Sequence, residues 1–208
     1  NEIQSVTQPT HFQSYEIFSS VYQETRHIIV RLPPAYNEDW WNGYNAVYLL
    51  DGGYERDFSS ALGVLNAEEK GGILAPPILV GIPPNDRMAE YTPGLDHAGY
   101  DQLFPDRGGA AKHLEFIRKD VAPWIEHKFN ARGRTIAGQS LGGLLVLLGF
   151  ADPGFDFDRY IAISPSLWWD EGRVLAEVSP FTKKETEVYI ALGHEQGLMR
   201  DAVLAFVD

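Results

Sequence analysis

The stretch Arg134-Thr135-Ile136-Ala137-Gly138-Gln139-Ser140-Leu141-Gly142-Gly143 decides the fold. It carries G-x-S-x-G at residues 138–142, with a short apolar strand before it and the apolar run 144–150 behind it. The five-residue pattern alone is weak. Its strand–turn–helix setting makes it specific, because a serine presented on a sharp turn needs that setting. Such a turn strains the serine backbone, so small residues at 138 and 142 let strand and helix approach closely. Ser140 then stands at a helix N-terminus, where the dipole and free N–H groups favour negative charge. The Leu141 N–H becomes one donor to an oxyanion. The competing reading is a Gly-rich turn without chemistry.

Working outward, strands are expected at residues 14–20, 27–32, 46–50, 78–82, 135–137, 160–163 and 187–192. Tyr15, Ile17 and Val21 alternate with polar residues, as on a half-buried edge strand, whereas Val47-Tyr48-Leu49-Leu50 and Ile78-Leu79-Val80 are continuous apolar runs suited to central parallel strands. Leu114, Ile117, Val121, Trp124 and Ile125 recur at helical spacing across 109–129, and Pro123 should kink that helix or start its second segment. Residues 140–150 are apolar all round and read as a buried helix. Alternating strands and helices imply a mostly parallel α/β sheet with helices on both faces. Residues 83–107 are rich in Pro, Gly and Asp and aperiodic, and are expected to cap the site.

The 208 residues suit a single domain, 1–208. Hydrophobic residues make up 44% and charged residues 22%, which is ordinary for a globular chain. The charge is 17 − 29 = −12, with no basic stripe, so no nucleic-acid partner is expected. With no cysteine, disulfides, thiolate metal sites and a cysteine nucleophile are excluded. The apolar run 144–150 is far short of the roughly 20 residues that span a bilayer. Cytoplasm and periplasm both fit. Asp152, Asp156 and Asp158 lack the spacing of a Ca²⁺ loop and read as a polar loop. No metal or organic cofactor is expected.

A second oxyanion donor should come from the loop after an earlier central strand. Asp51-Gly52-Gly53-Tyr54 follows such a strand, and Gly53 is the chosen donor. A plain Asp-Gly turn is the alternative.

Leu49-Leu50-Asp51-Gly52, then Gly138-Gln139-Ser140-Leu141-Gly142-Gly143, then Ile163-Ser164-Pro165-Ser166-Leu167-Trp168-Trp169 occur in order, with Asp86-Arg87 and Tyr91-Thr92-Pro93 between the first two. Together they resemble the esterase family of α/β-hydrolases that includes enterochelin (trilactone siderophore) esterases and esterase D. The similarity runs from about residue 27 to 193. It implies an α/β-hydrolase fold and serine-dependent hydrolysis of a small carboxylic ester.

α/β-hydrolases order their triad as Ser, acid, His along the chain. The resemblance places an acidic residue after the strand 187–192, at Glu195, with Asp170 as the alternative. The family histidine follows one further strand. No histidine follows Glu195, so the C-terminal strand and helix of the fold are expected to be missing, leaving strand 187–192 with an open edge. None of His11, His27, His97, His113, His127 and His194 is assigned as the base. His97, in the cap, and His194, beside the acid, are the ones within conceivable reach. Trp168 and Trp169 could wall the substrate pocket or pack in the core. Arg87 could bind an anionic substrate or be a solvated surface residue. The substrate could be a siderophore trilactone, although net −12 disfavours an anionic ferric complex. A non-catalytic ligand-binding relative and an acyltransferase of the same fold are the alternatives.

Overall fold

A computed structural model describes residues 12–72, 76–94, 105–178 and 186–207. Seven strands form one sheet: β1 (Phe12–Ser19), β2 (Glu24–Arg31), β3 (Tyr44–Leu50), β4 (Ile78–Ile82), β5 (Ala131–Gln139), β6 (Arg159–Ile163) and β7 (Glu187–Ala191). Their order across the sheet is β1-β2-β4-β3-β5-β6-β7. β1 and β2 are antiparallel, as are β2 and β4, and every pairing from β4 through β7 is parallel.

Burial follows the expected pattern. Every residue of β4 is buried, as a strand covered on both faces requires. Tyr48 and Leu50 point into the larger core, formed with α3 (Ala110–Phe116), α4 (Ala122–Phe129) and α5 (Leu141–Ala151). Leu49 points to the other face, where Phe58, Leu79 and Ala137 form a smaller cluster under α1 (Ser59–Gly71). That second face thins out along the sheet. Ile163, Val188 and Tyr189 on β6 and β7 are exposed, and β7 is an edge strand among the described residues. Beyond it in sequence lies α6 (Leu198–Val207).

Two local features differ from expectation, and a third decides between two alternatives. β5 begins at Ala131, earlier than the apolar segment alone indicates, because Arg134 pairs with Ala46 and Tyr44 with Ala131 along β3. Of the two readings of Pro123, the start of a second helical segment is the one found. Pro123 lies at the first turn of α4, and a π-helical turn, Ile117–Val121, connects it to α3. A proline lacks the N–H for the bond one turn back, and a wider turn accommodates that loss. Within the expected cap, Arg87–Tyr91 forms a short helix, α2, with the Asp86 carboxylate accepting from the Ala89 N–H, while residues 95–104 lie outside the described residues.

Buried ion pairs tie α2 to the sheet. Arg26 of β2 donates to both carboxylate oxygens of Glu90 at 2.9 and 2.8 Å. His113 Nδ1 lies 3.2 Å from Glu90 Oε2 and 3.1 Å from the Tyr22 hydroxyl. Burial alone would raise the Glu90 carboxyl, but hydrogen bonds from His113 and Arg26 outweigh it and hold it at about 2. Burial lowers His113, against the pull of Glu90. Both groups therefore bind protons more readily unfolded than folded. Their contribution to stability is complete above the ordinary His value of 6.5, and acidification removes it, first through His113 and then, below 4.5, through Glu90.

Two measurements check this packing. Urea denaturation should show stability falling steadily from pH 7 to pH 4. Glu90→Gln, which leaves the Arg26 charge buried and under-paired, should cost about 3 kcal/mol or more at pH 7 and flatten the part of the profile below pH 4.5. The second concerns the serine turn. A Cβ on Gly138 would sit 2.5 Å from the Gly142 carbonyl carbon, whereas one on Gly142 would meet nothing closer than 3.4 Å. Gly138→Ala should therefore destabilise by about 1–3 kcal/mol through overpacking. Gly142→Ala, inside a helix, should be close to neutral. Equal losses would show that strand and helix do not meet at Gly138.

Candidate active site

Ser140 occupies the junction between β5 and α5 with φ 56 and ψ −116, outside any regular conformation. Three main-chain bonds hold it there. Its N–H donates to Ile163 O, and its carbonyl accepts from the N–H of Leu144 and of Ser166. The Gly52 N–H fixes the neighbouring loop against Ile82 O. The first intrahelical bond of α5 is the one from Leu144, so the N–H groups of Leu141, Gly142 and Gly143 precede it and carry the positive end of the helix.

The loop after β3 reaches the same end of the sheet. Asp51 has φ 54 and is almost completely buried. Its N–H donates to the Tyr91 hydroxyl at 2.9 Å, and that hydroxyl donates onward to Ile82 O. Burial, then the Asp51 charge, push the Tyr91 hydroxyl well above its ordinary value, so it stays protonated and able to donate. Gly53 does not offer the expected free donor: its N–H turns back to Asp51 O at 2.8 Å, closing a three-residue turn.

Arg87 is held from within the protein at the cavity beside Ser140. Its Nε donates to both Asp51 carboxylate oxygens at 2.8 and 2.9 Å, and its Nη2 donates to Gln139 O at 3.3 Å. Arg56 adds a second contact to Asp51 at 3.1 Å. Asp51, Arg56, Asp57, Arg87, Gln139 and Ser140 line a cavity of about 140 Å³. Burial, then Asp51, raise the Asp57 carboxyl. The mouth beside Ser140 thus holds two guanidiniums balanced by two carboxylates.

Glu195 follows β7, at the sheet end that carries Ser140. Across the register Gln139 pairs with Ile163 and Ile163 with Ala191, so the ends of β5 and β7 lie two strand spacings apart, about 10 Å. The Ser164 hydroxyl, then the backbone amides of Glu195 and Gly193, hold the Glu195 carboxyl below the usual range. Asp170, the alternative acid, is buried with φ 49 and has Arg173 at 3.8 Å. Trp169 is buried in the core, which removes it as a pocket wall, while Trp168 is only partly buried and packs against the same core. None of the described histidines is hydrogen-bonded to Ser140. His27 lies on β2 near Glu16, His113 is in the core, and His127 and His194 are exposed. His11 and His97 lie outside the described residues.

One neighbour of Ser140 escaped the sequence reading. The Ser166 hydroxyl lies 3.2 Å from Ser140 Oγ. A signal for it existed, since Ser166 is a small polar residue followed by three apolar ones in the loop after the strand that neighbours β5. Among the described residues no cluster of His, Asp and Glu could hold a metal ion, and no helix is long and apolar enough to cross a membrane.

Comparison with known proteins bears on the family and the fold. The Siderophore enterobactin esterase of Emericella nidulans is 35% identical over 159 residues, covering 66% of this chain and 51% of its own length. The Ferri-bacillibactin esterase BesA of Bacillus subtilis is 30% identical over 184 residues, covering 77% and 55%. The chain thus spans about half the length of each of these relatives. The crystal structure of an IroE-like serine hydrolase from Shewanella oneidensis superposes with a TM-score of 0.78 at 29% identity, covering 95% of this chain and 68% of that one. The fold is that of an α/β-hydrolase, and with the Esterase family ("Putative esterase") matching residues 19–205, the chain belongs to that family.

Proposed function

We propose that this chain is a serine-dependent carboxylic ester hydrolase with Ser140 as its nucleophile. The observation that carries the reading is the backbone of Ser140, φ 56 and ψ −116, which holds a serine hydroxyl at a strand-to-helix turn on the edge of a cavity. A non-glycine residue in such a conformation costs of order 1–3 kcal/mol and persists where the surrounding structure enforces it, most often at functional sites.

In this mechanism Ser140 Oγ attacks the ester carbonyl carbon and its proton passes to a general base. The family pattern assigns that base to a histidine, and none of the described histidines occupies the place. The carbonyl π pair moves onto oxygen, where the Leu141 N–H and the N-terminus of α5 meet the developing charge. Expulsion of the alcohol, protonated as it leaves, gives the acyl-enzyme. Water attacks that ester in turn and restores Ser140. Glu195, with its carboxyl held below the usual range, is the acid that would orient the imidazole. Arg87 and Tyr91 hold the loop after β3 in place.

The substrate class we infer is a siderophore ester, supported by the names of two relatives and by a mouth with exposed guanidinium surface at Arg56. The balance of Arg56 and Arg87 by Asp51 and Asp57 argues for recognition through shape and hydrogen bonds over bulk charge. A fluorophosphonate probe should label the full-length protein at Ser140, with labelling abolished in Ser140→Ala. Siderophore lactones should be cleaved with a higher kcat/KM than p-nitrophenyl acetate. Labelling that survives the substitution would overturn the nucleophile, and product esters formed with an added alcohol in preference to free acid would convert the reading to acyl transfer.

A further inference from the structure

We propose that Ser166 is a second hydroxyl of the catalytic centre, donating a hydrogen bond to Ser140 Oγ and stabilising the charge that builds on it during attack. The proposal rests on the ester-hydrolase reading above and assigns a role to a residue outside the Ser–acid–His pattern.

Ser166 follows β6, the strand parallel to β5 on the side facing β7. Its main chain is fixed in both directions. The Ser166 N–H donates to Ser140 O at 3.0 Å, and Ser166 O accepts from the Trp169 N–H at 3.0 Å. The loop cannot drift, because Pro165 packs against Gly143, where a Cβ would come within 3.0 Å of the Pro165 Cα. Trp169, held by Ser166, is anchored in the core. The hydroxyl is therefore carried by a rigid frame that touches the nucleophile twice, once through backbone and once through side chain.

The direction of the side-chain bond follows from burial. Ser166 has no accessible surface, and Ser140 Oγ is the one hydrogen-bond partner of its hydroxyl among the described residues. If Ser140 were the donor, the Ser166 proton would be left buried without an acceptor, at the full cost of its desolvation. Ser140 is only partly buried, and its own proton has an open side toward the cavity. The arrangement in which both protons are satisfied has Ser166 donating and Ser140 accepting. Ser140 then keeps its proton free to leave toward the base.

A donor on the nucleophile does little for a neutral hydroxyl and more for an oxygen acquiring negative charge, so its effect is concentrated in the transition state. It acts twice. In acylation it stabilises Oγ as the O–H bond breaks, and in deacylation it stabilises the same oxygen as the acyl C–O bond breaks. No bond to Ser166 is made or broken. The position also selects the Oγ rotamer, which spares the entropy of finding it.

The test compares full-length wild type, Ser140→Ala, Ser166→Ala and Ser166→Thr, using a fluorophosphonate probe and a p-nitrophenyl ester, with thermal melting as the folding control. Ser166→Ala should lower the maximal inactivation rate and kcat by about tenfold to a hundredfold, the range for a hydrogen bond to a charged group. KM and the probe's binding constant should be unchanged, and melting nearly so. Ser166→Thr, which restores the hydroxyl, should recover most of the rate. Unchanged rates in Ser166→Ala would overturn the proposal. A rate increase would show that Ser166 accepts from Ser140 and parks it. Parallel losses in rate, binding and melting would reduce Ser166 to a structural role. If wild type is not labelled at Ser140, the ester-hydrolase reading fails and this role fails with it, an outcome distinct from normal labelling in both wild type and Ser166→Ala.

Discussion

Everything at the site depends on how closely β5 approaches α5. No side chain fits at Gly138, because the carbonyl carbon of Gly142 already occupies the space. That contact forces the chain to reverse within a single residue, and Ser140 absorbs the reversal. Its left-handed φ is thus a consequence of packing between two buried elements. The apolar character of α5 secures the arrangement, since Leu144, Leu145, Val146 and Leu147 are all fully buried and cannot retreat. Neighbouring strands share the strain. β3 and β6 also end in non-glycine residues with positive φ, Asp51 at 54 and Ser164 at 42. Three strand ends at one rim of the sheet are therefore held in costly conformations, and that rim carries Ser140.

Electrostatics at the rim follow from a second constraint. Asp51 is buried next to a helix N-terminus, where its charge would compete with an oxyanion for the same dipole. Arg87 and Arg56 neutralise it, and Arg87 also grips the carbonyl of Gln139, the residue before Ser140. One side chain thereby couples α2, the loop after β3 and the serine turn. The pair Arg26–Glu90 fixes α2 from behind. Basic residues near the serine accordingly serve the frame as much as any ligand.

The parallel sheet and the serine turn were legible because their signals are local and strong. Val47 to Leu50, Ile78 to Val80 and Gly138 to Gly142 each state their environment within a few residues. What escaped depends on orientation and on partners far along the chain. Nothing in Asp51-Gly52-Gly53 reveals that the Gly53 N–H folds back on Asp51 O. Of two adjacent tryptophans, the pattern does not say that Trp169 enters the core and Trp168 stays at its margin. Arg87 reads as a surface cation until Asp51, 36 positions away, is found beneath it. Ser166 stood inside a motif already quoted, but its value lies in a contact across 26 positions. α1 was hard to foresee for another reason: none of its residues is fully buried, so its amphipathic signal is faint.

The strand order has a consequence in time. β3 pairs with β4 on one side and β5 on the other, and β5 ends only at Gln139. During synthesis the apolar face and edge of β3, complete at Leu50, wait for nearly ninety more residues before both neighbours exist. β4 must also insert between β2 and β3, so an early pairing of those two would be an error to undo. Non-local pairing of this kind slows folding and exposes aggregation-prone strands meanwhile. The serine turn is among the last features to form, since it needs β5, α5 and β6 together. A nascent or partly refolded chain therefore has most of its sheet before Ser140 is held in its turn.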